Sequence, residues 1–188
     1  MKKPLLALLI TAMLPFGASA TLNKDTFYLG ADFGATEYRD KSTYPITYAL
    51  IAGYNFTLNS DFSLAVELEG RELGDGRSWK AKDKTEFYTT AYSASLKPKY
   101  HFYVHDRPVY FAASLGVQHI KETIKTAAPF DGKIRQKDED TIMVSGLEIG
   151  SMMNKNLTMT TGIKYSKANL FNEDRRYITY TYGIHLNF

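Results

Sequence analysis

Apolar and polar side chains alternate with a period of two through most of this chain, and no stretch keeps the 3.6-residue rhythm of a helix. The clearest case is Arg175 to Phe188. There Ile178, Tyr180, Tyr182, Ile184, Leu186 and Phe188 alternate with Thr179, Thr181, Gly183, His185 and Asn187. Such a strand offers one greasy face and one polar or small face. The same rhythm predicts seven further strands, at 26–39, 46–57, 62–73, 86–102, 109–125, 140–153 and 157–170. Eight strands with an apolar outside and a polar inside predict an all-β fold, a single eight-stranded antiparallel up-and-down transmembrane β-barrel.

The connections set its orientation. Short links carrying turn residues join the second strand to the third, the fourth to the fifth and the sixth to the seventh. Gly74–Thr85 and Thr126–Glu139 are longer and polar, and read as external loops, with two links of moderate length besides. Short turns lie on the periplasmic side and longer loops outside, so both chain ends are expected to be periplasmic. Pro98 cannot donate to a ladder, so a bulge or local break is expected in the fourth strand.

The first 20 residues depart from the pattern. Lys2 and Lys3 precede an apolar run from Leu5 to Phe16, and Ala18-Ser19-Ala20 offers a small-residue cleavage site. This reads as a cleaved signal peptide over 1–20, leaving a barrel domain over 21–188; the apolar run is too short to span a bilayer as a helix. The chain has no cysteine, which removes disulfides and thiol chemistry. Its formal charge of +3 falls close to balance without the two signal lysines, so nucleic acid is not an expected partner. No glycine-rich phosphate loop occurs and the four histidines are scattered along the chain, so neither a cofactor nor a metal is expected.

Alternation also assigns the inward face. It turns Asp32, Glu67, Glu69, Arg71, Lys97, Lys99, Glu148, Lys164 and His185 toward the lumen. An eight-stranded barrel is just wide enough for side chains to fill it. Charges inside must therefore pair, since an isolated buried charge is very costly. A lumenal acid–base network is expected, with Glu67 and Lys97 as one candidate pair. Inward glycines, including Gly30, Gly53, Gly150 and Gly183, make room for large neighbours.

The segments FYLGADFGA, ITYALIAGYNFTLNSDFSLAVELEG and YGIHLNF resemble the small eight-stranded outer-membrane barrels of the OmpX and OmpA transmembrane-domain type. The resemblance implies an outer-membrane location and an assembly signal at Tyr182, Ile184, Leu186 and Phe188, read by the barrel-assembly machinery. Members include adhesion and invasion factors, complement-resistance factors and small pores. No peptidoglycan-binding domain follows the barrel, so a wall tether is not expected. Lipid A deacylases of similar size carry a His-x-Ser arrangement with a nearby acid, whereas this chain reads His119-Ile120-Lys121. The nucleophile is missing, so no enzyme is expected.

The reading is a monomeric, non-enzymatic outer-membrane barrel with an adhesion, host-interaction or envelope-integrity role through its external loops. A small pore and a lipid A-modifying enzyme are the alternatives. Basic residues outnumber acids in the external segments. Lys121, Lys125, Arg175 and Arg176 are candidates for a rim that binds lipopolysaccharide phosphates.

Overall fold

The computed structural model describes residues 25–38, 44–80, 83–105, 107–128 and 132–188. The expected signal peptide and its cleavage site lie outside these residues. Eight strands run β1 (Thr26–Tyr38), β2 (Ile46–Thr57), β3 (Phe62–Lys80), β4 (Asp83–Val104), β5 (Arg107–Ala128), β6 (Gly132–Asn154), β7 (Leu157–Leu170) and β8 (Glu173–Asn187). Each pairs antiparallel with the next, and β8 returns to β1, so the sheet closes in sequence order. Closure leaves no edge within the barrel wall, as a backbone in hydrocarbon requires. At the seam the Phe188 amide donates to the Phe27 carbonyl at 2.9 Å, and the two rings lie 6.1 Å apart.

The outward positions are those that alternation assigned. Leu50, Leu68, Tyr92, Leu115, Met143 and Tyr182 all stand exposed on the outside of the wall. Two segments differ from the sequence reading. The expected loops Gly74–Thr85 and Thr126–Glu139 are mostly strand, because the β3–β4 ladder continues to Lys80↔Asp83 and the β5–β6 ladder to Ala128↔Gly132. The ladder continues there although apolar and polar residues no longer alternate in the sequence. The β7–β8 connection is also tighter than expected. It turns on Phe171 and Asn172 at φ 55° and 60°, the two positive values a two-residue type I′ hairpin requires.

The β3–β4 register slips between Glu72 and Gly74, and the β6–β7 register between Met152 and Asn154. Gly74 takes φ 96°, a conformation that suits glycine. At Pro98 the pairing with β3 persists as Leu64↔Pro98. Toward β5 it lapses between Leu96 and Lys99 without a change of register, a local break and not a bulge.

The lumen is built in two layers. The periplasmic half is polar and charged. The external half is closed by Tyr38, Leu73, Phe87, Ala91, Ile120, Ala168, Leu170 and Tyr177, all buried. Tyr38 packs on Phe87 and Tyr177 with centroids 5.4 and 5.1 Å away, and its hydroxyl donates to the Leu73 carbonyl.

Candidate functional site

Strand parity aims the lumenal charges at one another. In the β3–β4 register Ala65 faces Lys97 and Glu67 faces Ser95, which sets Glu67 and Lys97 on a diagonal within reach of long side chains. The Lys97 ammonium lies 2.6 Å from Glu67 Oε2 and 2.9 Å from Glu148 Oε2. Arg71 reaches Glu69 at 2.6 Å and Asp32 at 3.2 Å, and Lys164 binds Glu69 and approaches Glu67 at 3.9 Å. His185 Nε2 stands 3.5 Å from Asp32 Oδ1. Four carboxylates (Asp32, Glu67, Glu69, Glu148) thus meet three cations (Arg71, Lys97, Lys164), with His185 beside Asp32 and the fourth cation, Lys99, buried nearby.

Two tyrosines that sequence reasoning missed complete it. Tyr28 donates to Glu67 at 2.8 Å and Tyr110 to Glu148 at 2.7 Å. Lys99 holds its ammonium 4.8 Å from both ring centroids, a cation–π sandwich in place of an ion pair. The rings fit because the strands beside them carry glycine. A Cβ on Gly53 would come within 2.2 Å of Tyr28, and one on Gly150 within 2.2 Å of Tyr110.

A second ion pair was also missed. Glu122 and Arg175 meet at 2.6 Å beyond the apolar layer, with Glu173 3.2 Å from Arg175 and the Tyr177 hydroxyl 3.4 Å from Glu122. This corrects one rim candidate. Arg175 is 6% exposed and turned inward, because it shares the face of Tyr177 and Thr179 on β8. Lys121, Lys125 and Arg176 do face outward. Lys121 is bound to Glu139 at 2.9 Å, while Lys125 and Arg176 have no ion-pair partner among the described residues.

The four histidines lie at separate places in the barrel. His119 faces outward, 3.1 Å from Thr141 Oγ1 and 4.0 Å from Glu139, and Lys121 occupies the place a serine nucleophile would take. His101 Nε2 lies 2.7 Å from Ser63 Oγ at the periplasmic mouth, and Ser63 also contacts Asn55 Oδ1 at 3.0 Å. His105 sits in the β4–β5 turn at φ 48°. Among the described residues no group of three or more metal-ligating side chains converges.

Outside the wall β3 to β6 continue without a ladder partner in β2 or β7 among the described residues. The β2–β3 ladder ends at Tyr48↔Glu72 and the β6–β7 ladder at Val144↔Ser166, whereas β3–β4 and β5–β6 run on to their turns. At roughly 3.3 Å per residue the extensions reach about 25–40 Å along the strands. Asp138 and Asp140 of β6 accept the backbone amides of Phe171 and Asn169 and tie the foot of the extension to β7. On its outer face Lys125 stands opposite Arg135, with Lys137 two residues along, and all three are exposed.

Solved structures share this architecture. The attachment invasion locus protein Ail of Yersinia pestis superposes with a TM-score of 0.58 at 17% identity, over 87% of this chain and 97% of that one. A major outer membrane protein of Thermus thermophilus gives 0.50 at 13% identity, over 88% and 100%. The outer membrane enzyme PagL gives 0.48 at 12% identity, over 84% and 97%. No curated protein matches the sequence. Residues 5–188 match the outer membrane protein β-barrel domain. The chain belongs to that family of outer-membrane barrels.

Proposed function

We propose that this protein is a non-enzymatic outer-membrane barrel that holds a four-stranded sheet above the membrane for contact with an anionic external partner. The observation that carries this reading is the extension of β3 to β6 past the last pairing with β2 and β7. A sheet whose edges have no ladder partner among the described residues offers backbone donors and acceptors to another chain, the mode of β-augmentation. The outer face adds charge. Like charges placed directly opposite on a ladder repel, so Lys125 and Arg135 gain from an anion between them. A barrel of the same fold is named for attachment and invasion, which agrees with an external contact role.

A host-cell surface rich in anionic glycans supplies such a partner. Lys125 and Arg176, near the foot of the sheet, suit lipopolysaccharide phosphates on the same reasoning. Against the pore alternative stands the apolar layer from Tyr38 to Tyr177 across the external half of the lumen, since an ion crossing it would lose hydration without a replacement.

The test replaces 75–86 and 126–137 by two-residue turns and displays the shortened barrel on cells. Adherence to cultured epithelial cells is expected to fall to the vector level at equal surface abundance. Undiminished adherence by the shortened barrel would rule the extension out as the contact surface.

A further inference from the structure

Gly70 is unlike the other glycines described in the wall. A Cβ at Gly30, Gly34, Gly53, Gly116, Gly150 or Gly183 would approach another atom to within 2.4 Å. At Gly70 the nearest atoms are those of the Tyr92 ring at 3.6 Å, an ordinary contact. Packing within the protein therefore does not demand glycine there, and glycine weakens a strand. A strand glycine that no close protein contact demands marks a bulge, a bend or a place where another group comes close, and the register slip of this strand lies further along, between Glu72 and Gly74.

Gly70 forms the floor of a groove of about 610 Å³ on the outer face of the barrel. Leu50, Gly70 and Tyr92 are consecutive partners across β2, β3 and β4, and Tyr48, Glu72 and Tyr88 lie at the external end. Leu50 and Tyr92 are 68% and 64% exposed and form the two walls. The volume lies within the range of small-molecule sites. Below Glu72 this face of β3 carries Leu68, Val66, Leu64 and Phe62, so the groove stands where the apolar band ends.

We infer that this groove is a lipid subsite that seats one acyl chain of an outer-leaflet amino-sugar lipid, with the amide-linked, hydroxylated end of that chain at Glu72. The family places this face in the outer membrane, so an acyl chain is what covers it. Apolar contact alone selects nothing there, because lipid tails are as apolar as the walls. Selection comes from the shape over Gly70 and from the polar mouth. Glu72 has no basic partner among the described residues; the Tyr88 hydroxyl serves it as a hydrogen-bond donor, and Thr90 flanks it. A carboxylate at the hydrocarbon boundary has room for further donors on its remaining lone pairs. An amide N–H and a hydroxyl at the head of the chain supply them. The ester linkages of a phospholipid carry neither an N–H nor a hydroxyl at the head of the chain. The subsite lies on the membrane face and is independent of the external sheet.

The test is native mass spectrometry of the full-length folded barrel in detergent, titrated with synthetic lipid A bearing amide-linked 3-hydroxyacyl chains and, separately, with phosphatidylethanolamine. The unmodified barrel is expected to retain one lipid A more tightly than phosphatidylethanolamine. Gly70→Phe and Leu50→Trp, which fill the groove, and Glu72→Gln are each expected to weaken lipid A binding about tenfold. Leu50 is an outward side chain, so Leu50→Trp serves as the test even if Gly70→Phe does not fold. Unchanged retention in a folded groove-filled variant would overturn the inference. So would equal retention of phosphatidylethanolamine, or a loss confined to variants neutralised at Lys125 and Arg176.

Discussion

Lys97 holds two acids at once, and this makes the lumen testable by asymmetry. Lys97→Met keeps the length of the side chain and removes the ammonium from 2.6 Å of Glu67 and 2.9 Å of Glu148. Lys97 and Glu67 are each 1% exposed, so water does not replace the lost partner. Breaking one side of a buried pair costs about 3–5 kcal/mol, and here two carboxylates are stranded. Lys164 at 3.9 Å from Glu67 and the Tyr28 and Tyr110 hydroxyls offset part of this. Glu67→Gln is milder, because Lys97 keeps Glu148 and the amide can still accept from Tyr28. Its expected cost is roughly 1–3 kcal/mol, that of a charge-assisted bond made neutral. The double variant should cost less than the sum, with a coupling of roughly 0.5–3 kcal/mol. Urea titration of barrels folded into lipid vesicles measures all three, with the mobility difference between folded and heat-unfolded forms as readout. Costs that add, or a Glu67→Gln variant as damaged as Lys97→Met, would refute the shared-cation account.

Three further outcomes follow from the wall and its two ends. Deleting Phe188 or replacing it with Asp removes its ring contact with Phe27, and outer-membrane assembly is expected to fall, with periplasmic degradation products on a blot; normal surface levels would count against it. The intact barrel should show no steady conductance in planar bilayers, whereas Ile120→Gly with Leu170→Gly, which thins the apolar layer, should admit current; conductance in the unmodified barrel would restore the pore reading. Neutralising Lys125 and Arg176 together should lower the lipopolysaccharide that co-purifies with the barrel, and an unchanged amount would leave them as solvated surface.

What could be read from sequence divides according to whether two faces of a strand meet different surroundings. Within the apolar band they do, so parity alone oriented Glu67, Lys97, Arg71 and His185 inward and Leu50 and Tyr182 outward. Above the band the sequence of β3 to β6 carries no continuous apolar face. Alternation stops there while the ladder does not, so residues 74–85 and 126–139 read as loops although the backbone stays paired almost to its turns. Arg175, a rim candidate as a basic residue of an external segment, shares parity with Tyr177 and Thr179, and Glu122 shares parity with Gln118 and Ile120. Parity carried past the last apolar residue would have turned both inward. The tyrosine supports were hidden in another way. Tyr28 depends on Gly53, its direct partner across β1–β2, and Tyr110 on Gly150 across β5–β6. A ring laid over a glycine becomes visible only once register is known, and register arises from the whole ring of strands closing, not from any one of them. The position that stands out in the finished wall is Gly70, where the partner across β3–β4 is an outward tyrosine and a Cβ would meet only an ordinary contact at 3.6 Å. The inward glycines are explained by what fills their space from within the protein, so the groove over Gly70 is where an occupant from the membrane is to be sought.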